Sequence, residues 1–574
     1  MALALPRAIV RERAALPRWN WAQIGLVILS LALGFYVIYP LFLILLNSFN
    51  VARVGQPAAY GLANWIAAWS GNGIAQSIVN TLALAAAYQC ISFAFAVGLA
   101  WVLARTDVPA ARQLEFVFWL SMFIPTLSTT LGWMLLLDPH AGLINQIVGG
   151  ILHQPPGMFN IYSFWGIVWV QLMTHTISFK VMLLTPAFRN MDSTLEEAST
   201  ASGGGQWTTF RKVTLPVMTP VLSIVFLLGV VRLFESFEIE QLLGVPFNFY
   251  VFSTKIVQLV RGDPPELGQA AALGSLTLVL LAVVAPLQRW LTGRRSYATV
   301  GGRMKPAVVE LGIWRWPVFA LTALLAVLLA VVPVLSVIAA SFMTRFGFFN
   351  LPWTAAHWQQ AFTDSVFLLS LKNTIVVSLS VAVAGVLLCS LIAYVIVRPK
   401  DVRGRGSLDV IAWVPSVIPG ALAGLGLLWM FLTTPIFKPF YGSLFLLVVA
   451  CLLVMITFGT QIFKAALLQM KTEMEEAART SGAGWLRSYV RIVLPLLAPT
   501  LVAVGTLMFL FTANATSNII ILSSSSTRTL SLLTLELVRD GVPETAAVTV
   551  IIITAMTACM AFIARAVGHD RIAA

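Results

Sequence analysis

Charge is scarce in this chain. Of its 574 residues only 10% are Asp, Glu, Lys or Arg, against 59% hydrophobic, and the mean hydropathy is +0.88. That balance excludes a water-soluble globular protein, which has no way to hide so much apolar surface. Cysteine is rare too: Cys90, Cys389, Cys451 and Cys559 all fall inside apolar stretches, with no CxxC pair and no external disulfide set, so they carry no redox reading. His140, His153, His175, His357 and His569 show no HExxH or other close ligand spacing, which leaves no metal motif. A GxxxxGK[ST] phosphate loop is missing, so nothing here is built to cradle ATP in the usual manner. No catalytic residue is assigned, and no cofactor is expected on this chain.

What the sequence does have is length without charge. Apolar stretches of about 20 residues, enough to cross a hydrocarbon core of roughly 30 Å, recur along it. Polar punctuation places spans near 22–47, 76–104, 114–136, 162–186, 217–242, 267–290, 317–342, 367–397, 408–432, 443–466, 497–522 and 545–566. The expected fold is an all-α polytopic membrane protein of about 12 helices. The first apolar run continues to Leu46 without a small-residue cleavage site and reads as a retained helix. The net charge of +13 does not indicate nucleic acid. Its basic clusters, Arg7 to Arg18, Arg289 to Arg315 and Arg398 to Arg405, suit segments that orient a membrane protein with both termini inside and touch anionic lipid.

One polar segment is written twice. Glu196-Glu197-Ala198-Ser199-Thr200-Ala201-Ser202-Gly203 with Val213-Thr214-Leu215-Pro216 recurs 279 positions later as Glu475-Glu476-Ala477-Ala478-Arg479-Thr480-Ser481-Gly482 with Ile492-Val493-Leu494-Pro495. Asn80-Thr81, opening a helix that ends at Arg105, recurs as Asn373-Thr374, opening one that ends at Arg398, with an offset of 293. The chain is therefore two six-helix halves with one insertion. An even helix count puts both loops on one side, a parallel repeat about an axis along the membrane normal.

Each copy has the parts of a rigid docking element. Ser193-Thr194-Leu195-Glu196 and Thr472-Glu473-Met474-Glu475 fit the capping box, in which hydroxyl and carboxylate satisfy the free amides of a helix start. Gly203 and Gly482 suit the left-handed residue that ends such a helix. Trp207 and Trp485 follow as contact anchors, and Leu215-Pro216 and Leu494-Pro495 precede the next membrane helix.

Few charges fall at membrane depth. Arg232, Glu235 and Glu238, spaced i, i+3, i+6 at the end of the fifth expected helix, are candidates for lining a pathway. The alternative is an Arg232–Glu235 pair that neutralises itself, with Glu238 and Glu240 reaching water. In the other half the equivalent stretch is uncharged and contains Asn514 and Asn518. Lys180 and Lys372 lie near expected helix ends, where snorkelling accounts for them. Pro125, Pro415 and Pro419 are placed either to kink helices or to serve packing.

The repeated loop resembles the EAA loop of ABC-importer permeases. Phe123-Ile124-Pro125, Leu136-Leu137-Asp138-Pro139, Gly142-Leu143-Ile144-Asn145, Phe237-Glu238, Leu243-Gly244-Val245-Pro246, Tyr250-Val251-Phe252 and the linker Arg295-Ser296-Tyr297-Ala298-Thr299-Val300-Gly301-Gly302 look like the fused permeases of ferric-iron importers. Thiamine, phosphonate and polyamine relatives share much of this pattern. Ser199 replaces the second alanine of the first motif, a small-for-small change.

The resemblance implies two type I permease units in a bacterial inner membrane. They would occupy 22–290, with a loop near 189–216, and 317–566, with a loop near 467–495. An N-terminal arm over 1–21, a linker over 291–316 and a tail over 567–574 would be cytoplasmic. Two copies of a separate ATPase, carrying ATP and Mg, would seat on Glu196, Glu197, Ala198, Gly203, Leu215 and Pro216 and on Glu475, Glu476, Ala477, Gly482, Leu494 and Pro495. An external solute-binding protein would deliver the substrate, ferric iron foremost. An ion-coupled secondary transporter is the alternative of another class, since twelve helices in two parallel halves describe it too.

Overall fold

The computed structural model describes residues 21–52, 56–70, 73–153, 157–192, 194–231, 235–279, 308–398 and 404–570. Most of the N-terminal arm and linker, together with Ser193, Arg232, Lys400 and Arg403, lie outside them. Within them the chain is helical, and its only β pairing is three isolated bridges.

Eight helices are long and apolar enough to cross a membrane, from Gln23–Ser48 to Pro543–Met560. Four further helix pairs are bent at a short break, giving up to 12 spans. The third and ninth expected spans are such pairs. Ala111–Ser121 and Thr126–Leu137 meet at 100°, and Arg405–Val417 and Gly420–Thr433 at 112°. Pro125 and Pro419 stand immediately before the second member of each, where proline forces the preceding residue out of the helical region. The described part of the sixth span is Leu267–Val279.

The fifth expected span, 217–242, is not one helix. Its described first part ends at Val231, residues 235–237 are not helical, and a buried bent pair, Glu240–Phe247 with Phe252–Arg261 at 73°, follows. The eleventh also departs from its expected course: Trp485–Leu496 and Ala498–Ala513 meet at 77°, and the helix ends at Ala513 rather than near 522. Bent segments at membrane depth survive because they are buried in protein, where other elements satisfy the freed backbone groups.

The halves embrace reciprocally. Trp21–Ser48 packs on Arg405–Trp413 and Gly420–Thr433 of the second half, while Arg315–Ala330 and Val332–Phe342 pack on Ala111–Ser121 and Thr126–Leu137 of the first. Each half thus lends its first helix to the other's broken one. Close backbone approach makes this possible. A methyl on Gly132 would lie 2.8 Å from the Pro333 carbonyl oxygen, and one on Gly426 would lie 2.9 Å from Pro40 Cβ. Pro40 and Pro333 are themselves 293 positions apart, the same offset as the Asn-Thr repeat. Small residues at such crossings supply the van der Waals contact that stabilises helix pairs in lipid.

The repeated Asn-Thr also has a structural task. Asn80 donates to the Tyr250 carbonyl at 2.9 Å, and Thr81 Oγ1 accepts from the Phe252 amide at 2.8 Å. In the second half, Asn373 donates to the Ser526 and Arg528 carbonyls, and Thr374 Oγ1 accepts from the Leu530 amide at 2.8 Å. Phe252 and Leu530 open helices, so each pair holds a helix start whose amides have no partner within the helix.

Candidate coupling loops and translocation cavity

Both repeated loops fold as expected into short helices, Thr194–Ala201 and Glu473–Thr480. Each ends on a glycine with φ of +82°, Gly203 and Gly482. The Gly204 amide donates to Ser199 O and the Ala483 amide to Ala478 O, both at 2.9 Å, which is the six-to-one bond of a Schellman turn. The chain then re-enters through Gln206–Thr209 and Trp485–Ser488. Glu197, Ala198, Gly203, Pro216 and their counterparts Glu476, Ala477, Gly482 and Pro495 are exposed, while Leu215 and Leu494 are half-buried. Leu195, Trp207, Met474, Trp485 and Leu486 add exposed apolar surface.

Both loops sit at one end of the molecule. The Leu311 amide donates to Asp107 Oδ1 at 2.9 Å, so the second half starts beside the Arg105 end of the first loop's supporting helix. From there the chain crosses once through Gly312–Phe342 and returns through Ser365–Val397 to Arg398.

Ser193 of the first expected capping box lies outside the described residues, and the second box does not form, because Thr472 and Glu475 take other partners. Glu196 and Glu475 turn inward: Arg105 pairs with Glu196, with side chains 0% and 9% exposed, and Arg398 Nε lies 2.7 Å from Glu475 Oε1, both 7% exposed. The Thr472 hydroxyl donates instead to Glu476 Oε1 at 2.8 Å. The physical reason is the ranking of costs. A buried arginine stripped of its carboxylate costs about 3–5 kcal/mol, whereas a lost cap costs about 1 kcal/mol. So the second glutamate of each Glu-Glu faces out and the first anchors the loop.

Immediately after each corner the helix widens into a π turn, Phe210–Thr214 and Tyr489–Val493, again 279 apart. Sequence reasoning did not find these turns, because no residue pattern read here marks them. Leu215-Pro216 and Leu494-Pro495 follow directly, as the chain resumes α-helical geometry.

Between the halves lies a cavity of about 330 Å³. Tyr88 and Gln89, near the middle of Ile74–Arg105, line it, which sets it near half-depth of the bundle. Glu235, Glu238, Asn514 and Asn518 line it as well, so four of the five candidate pathway residues come together. Arg232 lies outside the described residues.

They do not form a helical stripe. Glu235 is in a turn and Glu238 opens the next helical segment, because the fifth span has already broken. Glu238 instead reaches across to accept from Thr516 of the second half. Glu240, expected to reach water, is buried and accepts from Ser236 at 2.6 Å and Gln171 at 2.9 Å. Asn514 donates to Leu510 O, and Asn518 to Ala450 O.

Lys180 is a second correction. It stands mid-span in Phe164–Arg189, nine residues or about 13 Å from the helix end at 1.5 Å per residue, too far to snorkel. It is buried, lines the cavity and donates to Ser92 Oγ at 2.8 Å. The corresponding positions of the second half are Gly459 and Gly385, whose added methyls would both meet Met508. Among the described residues lining the cavity, Lys180, Glu235 and Glu238 put the charge on the first half's side, while the second half contributes uncharged polar groups such as Asn514, Thr516 and Asn518. Among the described residues no group of three or more His, Cys, Asp or Glu is placed to hold a metal ion.

Two exposed loops, one per half, and a cavity between the halves frame the comparison with known proteins. The sequence profile of the family described as binding-protein-dependent transport system inner membrane component matches residues 96–297 and, a second time, 385–571. The chain belongs to this family of ABC-importer permeases. The permease is 26% identical over 571 residues to the ferric transport system permease protein FbpB of Actinobacillus pleuropneumoniae, covering 96% of this chain and 78% of that one. It is 25% identical over 526 residues to a putative ferric transport system permease protein FbpB 1 of Haemophilus influenzae, covering 88% and 78%. A probable ABC transporter permease protein y4fN of Sinorhizobium fredii is 25% identical over 497 residues, 85% of each chain. Among solved structures, a bacterial ABC transporter involved in the import of alginate aligns with a TM-score of 0.39 and 17% identity, over 48% of the permease and 96% of that chain.

Sequence reasoning missed that Arg105 and Arg398 hold the two loops from within through Glu196 and Glu475, although it had marked both as the ends of repeated helices. The signal was present: 105 and 398 differ by 293, and Glu196 and Glu475 by 279. A basic residue and an acidic residue repeated together are a pair to test.

Proposed function

We propose that this permease is the membrane-spanning translocation subunit of an ATP-driven importer of ferric iron, coupled through its two loops to a separate ATPase dimer and supplied by an external solute-binding protein. The carrying observation is the pair of loops: two short helices at one end of the molecule, each exposing a Glu-Ala and apolar side chains while anchored from within. Such surfaces suit two copies of one partner. By the family's plan this end faces the cytoplasm of a bacterium, with both termini on that side.

The cargo reading is supported by the names of the two ferric relatives and by Glu235 and Glu238 on the cavity wall, since a hard trivalent cation favours oxygen donors. The test is uptake of radioactive Fe(III) by proteoliposomes holding the permease with its ATPase, in the presence of the binding protein. Uptake should need internal ATP and persist in the presence of excess thiamine, phosphonate or polyamine, and inhibition by any of these would reject iron as the preferred cargo. Iron uptake driven by a proton or sodium gradient without the ATPase would reject the coupling.

A further inference from the structure

Each loop is tied to a membrane helix by one buried ion pair, and the two pairs are completed differently. In the first half Arg105, the last residue of Ile74–Arg105, engages Glu196 and also donates to the Met191 carbonyl at 3.1 Å. The other oxygen of Glu196 accepts from Thr214 at 2.6 Å, on the far side of the glycine corner. In the second half Arg398 engages Glu475 and faces the Met470 carbonyl at 3.4 Å, but the position of Thr214 is taken by Val493. There Tyr394, at the position of Trp101, donates its hydroxyl to Glu475 Oε2 at 3.3 Å.

The arginine, the carboxylate and the carbonyl are thus kept in both halves. The remaining polar partner comes from the re-entering helix in one half and from the membrane helix in the other. Keeping the pair while exchanging its support is what selection on the pair itself would leave behind, and a charge pair this deeply buried is a poor source of net stability.

We infer that Arg105 and Arg398 are positioning residues for energy coupling, each making the coupling helix and a membrane helix move as one body. This rests on the proposed seating of the loops on an ATPase. Ile74–Arg105 carries Tyr88 and Gln89 on the cavity wall, and Ser365–Val397 packs along Leu444–Gln469, which carries Cys451, Val454 and Met455 there. A displacement of either loop therefore reaches the cavity through the membrane helix to which the ion pair ties it. Arginine suits the task because its planar fork holds a carboxylate and a carbonyl together in fixed directions.

The experiment uses the full permease coexpressed with its ATPase and assayed in proteoliposomes with the iron-loaded binding protein. With R105M and R398M combined, the ATPase should still copurify and hydrolyse ATP at the basal rate, because the exposed docking surface is unchanged. Stimulation by the binding protein and iron carried per ATP should each fall by about tenfold, the scale of a typical intersite coupling. R105K with R398K should recover part of the loss, since charge is kept and the fork is not. Stimulation within about twofold of the unaltered protein in R105M/R398M would overturn the inference. If that variant does not insert, E196Q with E475Q decides: full stimulation rejects the strut and loss of stimulation supports it. Failure of the ATPase to copurify with the unaltered permease would instead reject the proposed function.

Discussion

Gly426 lies against Pro40 so closely that a methyl group on it would meet the proline Cβ at 2.9 Å. The mirror contact, Gly132 against Pro333, joins the halves on the other side. Both are crossings between a helix of one half and the broken helix of the other, so they decide how tightly the halves can close. Gly426→Val should overpack this crossing and destabilise the protein by about 1–3 kcal/mol. Gly132→Val should do at least as much, because the atoms it meets are backbone. The apparent melting temperature in detergent, followed by size-exclusion chromatography after heating, reads both effects.

The glycine corners carry a second prediction. At φ of +82° a proline, fixed near −65°, has no place. Gly203→Pro with Gly482→Pro should abolish substrate-stimulated ATP hydrolysis while leaving the chain inserted in the membrane. Stimulated hydrolysis at the original rate would show that the corner geometry does not matter to coupling.

Asn373 makes two hydrogen bonds to backbone carbonyls and Asn80 makes one. Leaving such groups without a partner costs about 1–3 kcal/mol each. Asn373→Ala should therefore lower thermal stability more than Asn80→Ala does. Equal shifts would indicate that neither amide holds the helix start it faces.

The cavity supplies a fourth. Glu238 joins the halves through Thr516 and faces the space between them. Glu238→Gln keeps an acceptor for the threonine and removes the charge. Iron uptake should drop several-fold while ATP hydrolysis stays stimulated, a split measured by assaying both in the same proteoliposomes. Parallel loss of both would assign Glu238 to the packing of the halves rather than to the pathway.

Much of the fold was legible because membrane helices obey a length rule that needs no tertiary information. Eleven of the expected spans have a helix or bent pair in place, and the described part of the remaining one, the sixth, begins where expected at Leu267. The loops were legible as well, since a fixed interval written twice in an apolar chain needs no structure to be noticed. What escaped were the places where the backbone leaves its own pattern. The charges from Arg232 to Glu240 continue a helical spacing, yet residues 235–237 are not helical, and burial sends Glu238 to one partner and Glu240 to others. Lys180 was misplaced for a related reason: a span boundary uncertain by a few residues separates a snorkelling lysine from a buried one.

The sequence by itself determined the class of protein, its duplication, its loops and the side they share, because hydropathy and repeat spacing act locally along the chain. Only the tertiary structure decided which glutamate of each Glu-Glu faces outward. That choice belongs to Arg105 and Arg398, residues 91 and 77 positions away in sequence, whose buried charge must be met wherever the fold brings a carboxylate within reach.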